Sequence, residues 1–217
     1  MKIDTILFDL DGTLVDSNEL ILETLRQTIL DYFPETPLSR TALLEMMGPP
    51  LSETFGKLTS DPALVRRMIS SYRKTYTEME FDYISLYPSV REMLENFRGN
   101  GFKTALVTTK FRESALPSVT HFGIDGLFDF LIALDDVKKP KPDAEPLLLA
   151  MDKLHSRLAV MVGDTPSDIL AGKNAGILTC GVDWSLKASE IRALNPDFWI
   201  RDFSELFPAI EKRNEEE

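Results

Sequence analysis

Short apolar runs and helical stripes alternate along most of this chain. From Lys2, the residues Ile3, Asp4, Thr5, Ile6, Leu7, Phe8 and Asp9 form an apolar, β-branched run closed by Asp-Gly, the pattern of a buried strand entering a turn. Similar runs recur at 103–108, 130–134, 158–162 and 178–182, with a weaker sixth at 198–200. Helical spacing joins Val90, Met93, Leu94 and Phe97 before the second run, and marks 147–154 and 169–175 before the fourth and fifth. Pro88, Pro146 and the Thr165-Pro166 pair signal helix starts, the last with a capping residue followed by proline at the first helical position. Strands alternating with helices predict a parallel sheet covered on both faces.

The alternation fails between 16 and 83. Ile21, Leu25, Thr28, Ile29 and Tyr32 form one helical stripe there. Val65, Met68, Ile69, Tyr72 and Tyr76 form another, opened by Asp61-Pro62, and 39–47 reads as a shorter helix stopped by Gly48-Pro49-Pro50. Connections in α/β folds normally take only about 2–6 residues, so an all-helical insertion is expected immediately after the first strand. The expected organisation is an α/β, Rossmann-like parallel sheet core over 1–15 and 84–217 with an inserted helical cap domain over 16–83. The hinge is expected at 16–19 and 81–88, and the acidic tail Glu215, Glu216, Glu217 is expected to fray.

Composition narrows the function classes. With 217 residues, 43% hydrophobic and 27% charged, the chain is long and apolar enough to bury a substantial core. Lys and Arg number 24 against 35 Asp and Glu, a net charge of −11, which disfavours nucleic acid and anionic membranes as partners. No apolar run approaches the ~20 residues of a membrane span, and no signal-type leader is present, so the cytoplasm is the expected location. The one cysteine, Cys180, lies in an apolar strand and is expected to be buried and inert, as befits a reducing compartment. His121 and His155 fall outside every motif and give no sign of histidine metal chemistry.

The candidate chemistry clusters at strand ends. In Asp9-Leu10-Asp11-Gly12-Thr13, side chains two apart at a strand end face the same way, so both carboxylates can share one small space while Gly12 allows a sharp turn. A calcium loop of the Asp-x-Asp-x-Asp-Gly kind is excluded, because Thr13, Val15 and Ser17 stand where oxygen-rich ligands should continue. Thr108, Thr109 and Lys110 follow the second strand, Lys139 and Lys141 the third, and Gly163-Asp164 ends the fourth with Asp168 one helical turn on. Ligands of open parallel sheets bind beyond the carboxyl ends of the strands, so Asp9, Asp11, Thr108, Lys141 and Asp164 are expected to converge.

Phosphoryl transfer through an aspartyl phosphate uses such a set. Asp9 would attack phosphorus once Mg²⁺, held by oxygens of Asp9 and Asp164, screens the anionic repulsion. Lys141 would neutralise the nucleophile and phosphoryl oxygens, and the Thr108 hydroxyl with neighbouring backbone N–H groups would hydrogen-bond them. Asp11 would protonate the leaving oxygen and then activate water. A receiver-type signalling module, which also forms a phosphoaspartate on a parallel sheet, is the non-enzymatic alternative, but its carboxylates come in a different order and it lacks a cap. Neither a Gly-x-Gly-x-x-Gly run nor a P-loop occurs.

These four segments resemble the motifs of the haloacid dehalogenase superfamily of phosphatases. Asp9-Leu10-Asp11-Gly12-Thr13-Leu14 is similar to its first motif, Leu106-Val107-Thr108-Thr109-Lys110 to the second, Lys141-Pro142-Asp143 to the third and Gly163-Asp164-Thr165-Pro166-Ser167-Asp168 to the fourth. The resemblance implies Asp9 as nucleophile, Asp11 as acid and base, and Thr108, Thr109, Lys141 and Gly12 as the substrate-binding set. It implies a Mg²⁺ site made by Asp9, Asp164 and the Asp11 carbonyl, with Asp168 in support. Lys139 fits the short Lys-Pro-x-Pro form better, but Lys141-Pro142-Asp143-Ala144-Glu145-Pro146-Leu147 resembles the family's Lys-Pro-Asp-Pro-x-Pro-Leu stretch, with Ala144 the departure, and Lys141 is preferred. The presence of Asp11 argues against the dehalogenase branch.

For substrate, 16–20, 47–51 and 134–137 are similar to phosphoglycolate phosphatases and to Bacillus-type inorganic pyrophosphatases of this superfamily. Phosphoglycolate is the expected substrate and pyrophosphate the alternative. β-Phosphoglucomutase ranks third, since its cap loop carries an arginine where this chain has Gly48-Pro49-Pro50. The segment 48–55 reads as a cap loop, and Arg66, Arg67, Arg73 and Lys74 on the third cap helix read as a solvated face. The partner is thus expected to be a small anionic phosphorylated molecule, with monomer and homodimer both open.

Overall fold

In a computed structural model, which describes residues 2–216, the chain forms β1 (Thr5–Phe8) and then a two-residue strand β2 (Val15–Asp16). Four helices follow: α1 (Asn18–Tyr32), α2 (Arg40–Met46), α3 (Leu51–Gly56) and α4 (Pro62–Tyr83). A second two-residue strand, β3 (Ser85–Leu86), pairs with β2 and leads into the remainder. That remainder runs α5 (Val90–Gly99), β4 (Lys103–Val107), α6 (Arg112–His121), β5 (Phe130–Ile132), α7 (Glu145–Leu154), β6 (Ala159–Gly163) and α8 (Pro166–Asn174). It closes with β7 (Leu178–Val182), α9 (Ala188–Ala193), β8 (Phe198–Ile200) and α10 (Leu206–Glu215). The chain divides into two compact units, Met1–Val15 with Leu86–Glu217, and Asp16–Ser85.

In the α/β unit, six parallel strands lie in the order β5-β4-β1-β6-β7-β8. The chain builds outward from β1 to β5, then crosses back to start again at β6. The strand order therefore reverses at β1, and the crevice beyond the ends of β1 and its two neighbours is where such sheets bind ligands. Both faces are covered, which is why β1 and β6 read as continuous apolar runs. On one face, Leu7, Val107, Met161 and Ala159 pack with Leu147, Ala150 and Leu154 of α7 and Ala171 of α8. On the other, Phe8 meets Phe203 and Phe128 edge-on, while Phe97, Phe102 and Phe207 form a second aromatic group.

The helical unit is held by apolar packing. Asp61 caps α4 by accepting the Ala63 N–H at 2.8 Å, with Pro62 in the first turn, as the sequence signals. Met68, Tyr72 and Tyr76 are buried on one side of α4; Tyr72 stacks on Tyr76 and meets Phe55 of α3 edge-on, ring centroids 6.2 Å apart. Leu25, Thr28 and Ile29 are buried on α1. No helix among the described residues is long and apolar enough to cross a membrane.

Several expectations change. The expected cap loop 48–55 contains a helix: Pro50 sets its N-terminal turn and Thr54 and Phe55 anchor it in the unit's interior. The arginine-bearing helix is therefore the fourth of the unit, and Arg66, Arg67 and Lys74 are exposed on it while Arg73 is half-buried. Part of each expected hinge span is helical, because α1 begins at Asn18 and α4 continues through Tyr83. The third run stops at Ile132, where Leu134–Asp136 form a 3-10 turn. Glu215, expected to fray, ends α10; Glu217 lies outside the described residues. Helix α6 had no signal, since Ala115 and Val119 are buried but the neighbouring Leu116 is exposed and Pro117 interrupts the pattern.

Candidate active site

Lys141 is the centre of the buried polar network. Its ammonium donates to Asp9 Oδ1 at 2.8 Å, to the Val107 carbonyl at 2.8 Å and to Asp168 Oδ1 at 2.6 Å, so its three protons each have an acceptor. The side chain is 3% exposed, whereas Lys139 is 74% exposed and lies 3.8 Å from Asp143. The geometry thus distinguishes the two lysines. The loop carrying Lys141 is itself fixed: Glu145 accepts the Lys138 and Lys139 N–H groups at 2.9 and 3.0 Å, and the Asn174 amide donates to the Pro142 carbonyl at 2.8 Å.

Asp9 follows the end of β1, and its N–H donates to the Val162 carbonyl of β6. Asp164 follows β6 and accepts the Thr13 hydroxyl on Oδ1 at 2.8 Å. Gly12, at φ +80°, brings bare backbone against that carboxylate; a Cβ there would lie 2.2 Å from Asp164 Oδ2. Gly163 has a similar reason, since its Cβ would stand 2.3 Å from that of Asp168. Asp168 is fully engaged: Oδ1 takes Lys141, and Oδ2 takes the Thr165 N–H at 3.0 Å and hydroxyl at 2.6 Å. Thr165 is the N-cap of α8, as the sequence signals, and the Asp168 carboxylate one turn on reaches back to its N–H in a capping box.

Asp9, Asp164 and Asp168 offer carboxylate oxygens within 4.8 Å of one another, all buried. Burial, repulsion from Asp168 and repulsion from Asp11 outweigh the pull of Lys141 and push Asp9 up to about 7. Asp164 is pushed well above the usual carboxylate range, first by burial and then by Asp9 and Asp168. Burial alone would lower the Lys141 ammonium, but Asp168 and Asp9 more than offset it and hold it above its ordinary value. One ammonium facing three carboxylates leaves an excess of negative charge in a buried site, and the donors are all oxygen. That is the chemistry of a site for a hard divalent cation, and Mg²⁺ fits it.

The other expected residues lie at the same edge. Asp11 is less buried, and Lys110 Nζ stands 3.4 Å from its Oδ1 while donating to Ser118 at 3.1 Å. Thr108, buried just past β4, accepts the Lys110 N–H at 3.1 Å, and Thr109 beside it is half-buried. The structure brings Asp9, Lys141, Asp164, Asp168 and the Gly12-Thr13 turn into direct proximity, and leaves Thr108 and Thr109 on the adjacent strand end. His121 and His155 are exposed. Cys180 is buried, and burial pushes its thiol well above the ordinary range. The sequence named Lys110 at a strand end without showing its pairing with Asp11, and it gave no role to Glu145, Asn174, Trp184 and Ser185; the proximity of Glu145 to Lys141 along the chain was the one available signal for those four.

A doubly wound sheet with its acidic cluster at the point of strand reversal, and a helical unit inserted after the first strand, is the framework of the aspartate-bearing phosphatases. The chain belongs to the haloacid dehalogenase-like hydrolase family, whose profile matches residues 6–182. It is 39% identical over 213 residues to Pyrophosphatase PpaX of Halalkalibacterium halodurans, covering 97% of this chain and 98% of that protein. It is 40% identical over 211 residues to Pyrophosphatase PpaX of Bacillus pumilus, covering 96% of each. Among solved structures, a haloacid dehalogenase-like hydrolase of Bacteroides fragilis superimposes with a TM-score of 0.86 at 28% identity, over 94% of this chain and all of that one. A protein of Haemophilus somnus described as a predicted phosphoglycolate phosphatase gives a TM-score of 0.82 at 25% identity, over 96% and 98%. Family membership sets aside the receiver-module alternative.

Proposed function

We propose that this hydrolase cleaves inorganic pyrophosphate by way of a phosphoryl group carried on Asp9. Similarity near 40% over almost the full length of proteins named Pyrophosphatase PpaX carries the choice of substrate, and it favours the pyrophosphate alternative over the phosphoglycolate reading. In this reading Asp9 attacks one phosphorus, the bond to the bridging oxygen breaks, and Asp11 gives its proton to the departing phosphate. Asp11 then takes a proton from water as that water attacks the phosphorylated Asp9, releasing the second phosphate. Lys141, held by Asp168 and Val107, keeps a positive charge beside Asp9 and the phosphoryl oxygens throughout. Asp9, Asp164 and the Asp11 carbonyl would hold Mg²⁺, which when bound screens the repulsion between Asp9 and an incoming anion. Thr108, Thr109 and the Gly12 turn complete the phosphate-binding set in this reading. The same reading makes the helical unit a cap, moving about β2 and β3 to admit substrate and exclude bulk water.

Phosphate release from pyrophosphate, phosphoglycolate and a panel of sugar and nucleotide monophosphates, with Mg²⁺ or with EDTA, tests this. Pyrophosphate should lead the panel, EDTA should stop the reaction, and Asp9→Asn should reduce it to background while the far-ultraviolet circular dichroism stays unchanged. A lead for phosphoglycolate would reverse the substrate assignment, and turnover by Asp9→Asn would remove the covalent step.

A further inference from the structure

The loop after β7 carries no residue of the acidic cluster, yet two adjacent side chains in it reach both loops that do. The Trp184 indole N–H donates to the Gly12 carbonyl at 3.1 Å. The buried Ser185 hydroxyl donates to the carbonyl of Asp164 at 2.6 Å. Each bond therefore holds main chain, one in the turn between Asp11 and Thr13, the other at a cluster carboxylate's own residue.

The bracket is itself rigid. Ser185 donates its N–H to the Val182 carbonyl at 3.3 Å and accepts the Lys187 N–H on its hydroxyl at 2.9 Å. The Trp184 ring lies against Tyr87 and Phe203, each centroid 5.0 Å away. Tyr87 in turn donates its N–H to the Leu14 carbonyl at 3.0 Å, so Trp184 and its neighbour both hold the turn that follows Asp9. Inside the bracket, Thr13 reaches across to Asp164.

We propose that Trp184 and Ser185 are positioning residues that set the spacing between the Asp9–Asp11 turn and Asp164, and through it the affinity of the cluster for Mg²⁺. The proposal rests on reading that cluster as a cation site. Mg²⁺ demands a near-octahedral shell of oxygens at about 2.0–2.1 Å, so a small drift of either loop is costly. Outer groups that orient metal ligands are typically worth 10–100-fold in affinity. Because Trp184 and Ser185 touch carbonyls and carry no charge, they change where the carboxylates stand and leave the charge of the site alone. Their loss should weaken binding and leave the saturated enzyme's chemistry largely intact.

Trp184→Phe retains an aromatic ring between Tyr87 and Phe203 and deletes the N–H; Ser185→Ala deletes the hydroxyl. Mg²⁺ binding is measured calorimetrically on the full chain without substrate, beside melting in EDTA and turnover as a function of Mg²⁺. Each variant should raise the Mg²⁺ dissociation constant by ~10-fold, with melting in EDTA near wild type and kcat restored at saturating Mg²⁺. A dissociation constant within about two-fold of wild type in both variants overturns the proposal, as does a fall in melting temperature with unchanged Mg²⁺ affinity. Asp164→Asn separates the two levels: if it binds Mg²⁺ as wild type does, the cation-site reading itself falls, whatever Trp184 and Ser185 do.

Discussion

The loops beyond β1, β6 and the Lys141 segment contrast with the interior of the helical unit in what fixes each residue. At the strand ends, the requirement is chemical and directional. Lys141 has three acceptors, Asp168 takes three donors, and Gly12 is excluded from bearing a side chain by a carboxylate 2.2 Å from where its Cβ would be. Within the helical unit, Phe55, Tyr72 and Tyr76 are buried ring against ring and Met68 is buried on the same helix, and apolar side chains of similar volume satisfy such space. Residue type is thus forced in the first region and only spacing in the second. The reaction can be read from such a chain more readily than the molecule it acts on.

Substitutions can break or sharpen this contrast. Lys141→Met should have the largest effect, because it strands Asp9 and Asp168 as buried carboxylates; the loss is about 3–5 kcal/mol in urea unfolding, together with loss of phosphate release. Near-native stability would mean that the carboxylates escape the penalty by taking up protons. Phe55→Leu should cost about 1 kcal/mol, since it roughly conserves volume and forfeits the edge contact with Tyr72. A cost matching that of Lys141→Met would erase the distinction between the regions. Arg40→Ala should be the smallest, with a change in melting temperature close to the error of the measurement, because its ion pair with Glu19 is solvent-exposed and screened by salt.

The same contrast governs what was legible beforehand. All six strands of the main sheet showed as apolar runs; burial on both faces leaves β1, β4, β6 and β7 little choice of residue, while the edge strands β5 and β8 are only partly buried. The acidic cluster showed because carboxylates at strand ends are costly unless they have a task. What stayed hidden was relational. Nothing in Asp183-Trp184-Ser185 shows that an indole will meet Gly12, some 170 residues away along the chain, because that bond depends on β7 lying one strand beyond β6. Lys110 beside Asp11 is hidden for the same reason. Of the two lysines, the stretch 141–147 favoured Lys141 by resemblance alone, and its burial against Asp9 and Asp168 depends on a loop held by Glu145 and Asn174. Helix α3 was missed because two prolines and a glycine before it read as a stop, when Pro50 is in fact its first turn's lead-in.

The pairing of β1 has a consequence for biosynthesis. Leu7 is aligned with Ala105 on one side and Met161 on the other, partners roughly a hundred and a hundred and fifty residues downstream. The strand that leads into Asp9 is made before both of its neighbours: β4 follows only after the helical unit, and β6 only after β5 as well. Loop closure over such distances is slow, and an apolar strand waiting for both edges is the segment of this chain most exposed to mispairing. The helical unit, whose packing is local, has no such wait, so the α/β unit should be the last to become native.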